Sequence, residues 1–103
     1  MTDPTTILAL AERCEQAAGP DRELDVAIAR FLVLTRAEDI ARSRYGWSYF
    51  TASLDAAVML VPDGCGWMVM KNVAKVGRWP KRGATPALAL CAAALRARAA
   101  AYE

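Results

Sequence analysis

The sequence predicts a single α+β domain in which helices pack on a small antiparallel β-hairpin, an α-β-α sandwich-like arrangement. Three observations carry this expectation. Apolar residues recur at helical spacing near both ends of the chain. Two short apolar stretches, Trp67 to Met70 and Val73 to Trp79, flank a Lys71-Asn72 turn. Between Thr51 and Trp67, a helix start, a helix stop, a turn and a strand start follow one another without slack. With 103 residues the chain has room for one hydrophobic core, so the domain is expected to span 1–103.

Taken in order, Asp3, Pro4, Thr5 and Thr6 form a helix-start cluster, and Ile7, Leu10, Ala11, Cys14, Ala17 and Ala18 follow on one face. Gly19 is expected to take the left-handed C-terminal cap, and Pro20 cannot continue the helix. Asp21 opens a second helix with Leu24, Ala27, Ile28, Phe31 and Leu32 inward, and Arg22, Glu23, Asp25 and Arg30 towards water. Thr35 to Arg44 is polar and reads as a connection. Tyr45 to Phe50 is dense in aromatic residues and fits a short strand or loop.

Thr51 and Ser53 are both N-cap candidates for a central helix running to Val61, with Leu54, Ala57, Val58 and Val61 on one face. Pro62 stops it, and Asp63-Gly64 supply a turn. Trp67 to Met70 carries apolar residues on both faces and reads as a strand covered on both sides, with the methionines Met59, Met68 and Met70 filling core gaps. In its partner, Ala74 and Val76 point inward, Lys75 and Arg78 outward. Pro80 to Gly83 reads as a basic loop. Thr85-Pro86 is a strong helix start, a capping hydroxyl followed by proline at the first helical position, and the last helix runs to about Ala100. Leu88, Cys91 and Leu95 form one face of it. Leu90, Ala94 and Ala97 form another, which predicts a homo-oligomeric contact.

Composition narrows the chemistry. There is no histidine, which removes the commonest general base and every Ser-His or Cys-His pair and weighs against an enzyme. Cys14, Cys65 and Cys91 are widely spaced, so neither a disulfide framework nor a zinc site is written here; Cys14 and Cys91 fall on apolar helix faces as buried thiols. No metal or cofactor is expected. No apolar run approaches the ~20 residues that cross a bilayer, and the N-terminus carries no signal-like segment, which predicts a cytoplasmic protein without membrane contact.

Four stretches in order, AAGPDRELDVAIA, YFTASLDAAVMLVPDG, the tryptophan strand and TPALALCAAALRARA, resemble a family of small phage and prophage proteins, the phage ABA sandwich domain. The likeness spans nearly the whole chain. It implies an α/β sandwich of phage or prophage origin and leaves the activity open.

Charge is strongly polarised: residues 1–40 carry eight acids and four arginines, residues 41–103 nine basic residues and three acids. Lys71, Lys75, Arg78, Lys81 and Arg82 cluster around the hairpin with Trp67 and Trp79 among them, while Arg42 and Arg44 flank Tyr45 and Trp47. Cations beside rings can hold phosphate and stack a base. The candidate ligand site is therefore Arg78, Trp79, Lys81, Arg82 and Thr85, joined by Arg44 and Trp47. The first functional expectation is a non-catalytic phage protein that sequesters a nucleotide-derived small molecule, such as a cyclic nucleotide or ADP-ribose signal of host defence. The alternative is a host-protein or nucleic-acid interaction module, with duplex DNA the weaker form at a net charge of +2. A histidine-free nucleotide-processing enzyme ranks third.

Overall fold

In the computed structural model of the protein, the residues described are 4–35, 49–62 and 64–100, with side chains for 5–30, 49–62 and 64–100. The chain folds as α1 (Pro4–Gln16), α2 (Arg22–Thr35), α3 (Leu54–Val58), β1 (Trp67–Met70), β2 (Val73–Val76), β3 (Trp79–Arg82) and α4 (Pro86–Ala100). These helices pack on an antiparallel sheet of order β1-β2-β3, which makes the domain α+β. Residues 36–48, which include much of the polar and aromatic connection, lie outside the described residues.

The last helix organises the rest. Thr85 caps it, its Oγ1 accepting from the Leu88 N–H at 3.2 Å while its carbonyl accepts from the Ala89 N–H at 2.9 Å, and Pro86 takes the first helical position. Leu88 to Leu95 are fully buried, because α1, the sheet and α3 all pack against α4. Leu90 and Ala94 have no exposed surface, and Ala97 almost none. The helix is apolar all round because it is enclosed by its own chain, so the face expected to carry a subunit contact is not available for one.

Polar ties help to hold the helical layer. Glu15 of α1 accepts two hydrogen bonds from the Arg96 guanidinium, at 2.9 and 3.0 Å, with both side chains mostly buried. That bidentate pair contributes on the order of 1 kcal/mol. Arg98 donates from Nε to the Leu60 carbonyl at 2.6 Å, fixing the segment after the short α3 to α4.

Several local expectations change on contact with the tertiary structure. Ser53, not Thr51, caps α3, accepting from the Ala56 N–H at 3.3 Å. The α-helical part of α3 ends at Val58 rather than Val61, and the chain tightens into i→i+3 bonds from Met59, Leu60 and Val61. Thr51 is instead buried against α2: its N–H and Oγ1 both donate to Asp25 Oδ1 at 2.8 Å, and Oγ1 accepts from the Asp21 N–H at 2.8 Å. Asp25 was expected to face water; these bonds hold it at 2% exposure. Asp21 caps α2 through Oδ1 to the Leu24 N–H, as its position predicts. Gly19 does not adopt a left-handed conformation; α1 ends with a last backbone bond from Ala17 to Arg13.

The sheet holds one strand more than the predicted hairpin. The Lys71-Asn72 turn is as expected, with Lys71 at φ 56°. Gly77, at φ 59°, makes a second two-residue turn with Arg78, so the expected long strand Val73 to Trp79 stops at Val76. The expected basic loop Pro80 to Gly83 is instead mostly β3. Pro80 is tolerated there because, among the described residues, β3 pairs only with β2 and lies at the sheet edge.

Candidate partner-binding face of the sheet

Alternation along paired strands sorts every residue of the sheet onto one of two faces. Trp67, Val69, Ala74, Val76, Trp79 and Lys81 share the face towards α4, where Ala74 and Val76 are buried and Trp79 is half-buried against the core. The outer face consists of two cross-strand rows, Met68–Lys75–Pro80 and Met70–Val73–Arg82. Neither row is covered as predicted: Met68 is 54% exposed, Met70 65%, and Lys75, Pro80 and Arg82 are exposed too. The methionines of β1 are therefore surface, not core filling. Helices occupy the other face of the sheet, and β1 is an edge strand.

The outer face is shaped as well as open. A depression of about 370 Å³ is bordered by Met68, Met70, Val73, Lys71, Lys75 and Arg82. A second, of about 430 Å³, shares Val73 and Arg82 with it and extends to Pro80, Lys81 and Glu15. The apolar side chains Met68, Met70, Val73 and Pro80 thus lie among Lys71, Lys75, Lys81 and Arg82, with Lys75 between Met68 and Pro80. Glu15 is the carboxylate at the far end of the second depression, and Arg96 already holds it. From residue 64 to residue 100 the sequence contains seven cations and no Asp or Glu.

The predicted site residues do not gather in one place. Lys81 and Arg82 border the same depression, although their side chains start on opposite faces of β3. Trp79 belongs to the α4-facing row, and Arg78 is exposed in the Gly77-Arg78 turn. Thr85 caps α4 and borders a separate depression with Pro20, Thr51 and Ala52, with none of the cations. Arg44 and Trp47 lie outside the described residues. Met68, Met70, Lys75 and Pro80 are the residues that sequence reasoning passed over as site members. The Lys71-Asn72 turn already aligns Met68, Met70 and Lys75, and Gly77 was the signal for the rest: a glycine inside a strand pattern marks a turn, and a turn there brings Pro80 and Arg82 onto the same face.

The thiols point away from chemistry. Cys14 and Cys91 are buried, and Cys91 donates from Sγ to the Phe50 carbonyl at 3.2 Å. Hydrogen bonding with Cys14, then burial, pushes the Cys91 thiol well above its ordinary value. A neutral-pH titration with an aromatic disulfide reagent should label Cys65 alone in the folded protein and all three thiols after denaturation. Fast labelling of two or more thiols without denaturant would contradict the packing of α1 on α4. Among the described residues no cluster of three His, Cys, Asp or Glu side chains could hold a metal ion. No described helix is long and apolar enough to cross a membrane.

The fold and this face define a small α+β domain with a one-sided sheet whose open side is apolar and cationic. No protein-family model, no curated protein and no solved structure matches the chain. The resemblance to phage ABA sandwich proteins rests on the four sequence stretches quoted above.

Proposed function

We propose that the protein is a non-catalytic binding module that receives an anionic partner on the outer face of its sheet. The observation that carries this is the concentration of Lys71, Lys75, Lys81 and Arg82 around exposed apolar side chains, within a stretch that has no carboxylate of its own. Such a surface attracts negative charge over a Debye length and offers a dehydrated centre once contact is made. The buried polar groups, Asp25, Thr51 and Cys91, are engaged in holding the fold. The phage origin implied by the resemblance is part of the proposal.

A second reading, sequestration of a nucleotide-derived small molecule, draws on half-buried Trp79 beside Arg78 and Lys81. Titration calorimetry at low and high salt separates the two, using polyglutamate, a thymidine oligonucleotide, cyclic dinucleotides and ADP-ribose. We expect a polyanion to bind with an affinity that falls steeply with salt, and the Lys75→Glu, Arg82→Glu double variant to lose it. Tight binding of one small nucleotide that survives this charge reversal but not Trp79→Ala would favour sequestration. Failure of every anion to bind at low salt would overturn both.

A further inference from the structure

Resting on the anionic-partner reading, we propose that the natural occupant of the outer face is an acidic amphipathic helix of a partner protein. The sheet is half of a sandwich. α4 covers one face, while the other presents Met68, Met70, Val73 and Pro80 in adjacent cross-strand rows. An apolar sheet face of this kind is ordinarily covered by a helix that packs its apolar stripe against it.

Charge selects the partner's chemistry. Lys71 stands at one end of β1, Lys75 in the middle of the face between Met68 and Pro80, and Arg82 at the end of β3, so cations are interleaved with the apolar side chains. A helix with leucine-like side chains on its inner stripe and carboxylates on its flanks meets both features at once. Methionine suits the role because its unbranched, polarisable side chain adapts to different apolar surfaces.

The same face favours a helix over single-stranded nucleic acid. Binding of bases without base pairing relies on aromatic platforms. Here no ring stands in either outer row: Trp67 and Trp79 belong to the rows that face α4. Among the described residues a nucleic acid would find cations across this face and a ring at its margin, where Trp67, 46% exposed, borders a depression with Met68 and Lys75.

The test uses the full chain and synthetic probes: an amphipathic helical peptide with leucines on one face and glutamates on the other, a scrambled peptide of the same composition, polyglutamate and a thymidine oligonucleotide. Binding is followed by fluorescence anisotropy. The amphipathic peptide should bind about tenfold or more tightly than its scrambled form, since burying even one such apolar side chain is worth that factor. Replacing both Met68 and Met70 by Ser should erase the difference while circular dichroism and the thermal midpoint stay near the parent's, because both side chains are already exposed. Lys75→Glu should weaken the amphipathic peptide and polyglutamate alike. If both peptides and polyglutamate bind equally, or the oligonucleotide binds best, the helix proposal fails and the anionic-partner reading stands. If nothing binds, both fail. If light scattering shows a dimer that the methionine substitutions dissolve, a second copy of the chain is the occupant and the proposal is overturned.

Discussion

Gly83→Ala should destabilise the protein by about 3 kcal/mol or more, enough to lower the thermal midpoint by more than ~12 °C in a domain of this size. The residue sits at the exit of β3, where its N–H donates to the Asn72 carbonyl at 3.0 Å and the sheet passes against the first turns of α4. A Cβ added there would lie 2.5 Å from the Ala89 nitrogen, 2.8 Å from the Leu88 carbonyl carbon and 2.9 Å from Leu88 Cβ. Two of these atoms are helix backbone, which cannot rotate aside, so the sheet and α4 would have to separate. Gly66→Ala is the matched control, with nothing within 4 Å of its added carbon, and should stay within about 0.5 kcal/mol of the parent. Urea unfolding of the two variants measures the contrast. Equal stabilities would mean that the sheet does not approach α4 as described.

Asp25→Ala should cost about 3 kcal/mol, through a different mechanism. The carboxylate is the acceptor for the Thr51 N–H and hydroxyl, both at 2.8 Å, and also receives the Arg22 guanidinium at 3.4 Å. Truncation leaves the Thr51 amide without its acceptor in a buried site, where an unmade bond carries the full desolvation penalty. The hydroxyl has a fallback in the Asp21 carbonyl at 3.2 Å, which limits the loss. Asp25→Asn keeps an acceptor oxygen at the same position and should lose only about 1 kcal/mol. A double-mutant cycle with Thr51→Ala isolates the coupling between the segment leading into α3 and the start of α2. A coupling near zero would show that this network does not tie the two together.

These two residues show where sequence reading stops. Caps and turns act over three or four residues, so Asp21, Thr85-Pro86 and the Lys71-Asn72 turn were legible, Ser53 was one of two cap candidates, and the α+β class followed from them. The helical spacing of Ile7, Leu10, Ala11 and Cys14 likewise identified the face that packs on α4. In each case the partners are near neighbours along the chain, and residue type carries the signal.

Asp25 is different because its partner is 26 residues away. By residue type it belongs with the charged residues of α2, yet its helical position sets it beside buried Leu24, Ile28 and Ala29, and Thr51 supplies the partner that its carboxylate needs there. The close approach at Gly83 depends in the same way on where β3 lies against α4. The alanine-rich α4 carried two apolar faces in its sequence; that both close within one chain follows from α1, the sheet and α3 all packing against it. The candidate site was half legible. Its cations were visible as a cluster, but a strand sends alternate side chains to opposite faces, so the overlooked turn at Gly77 hid which of them stand together. Whether an apolar strand is core or surface is set by what covers it, and β1, at the edge of a sheet whose helices pack on its other face, keeps Met68 and Met70 in solvent.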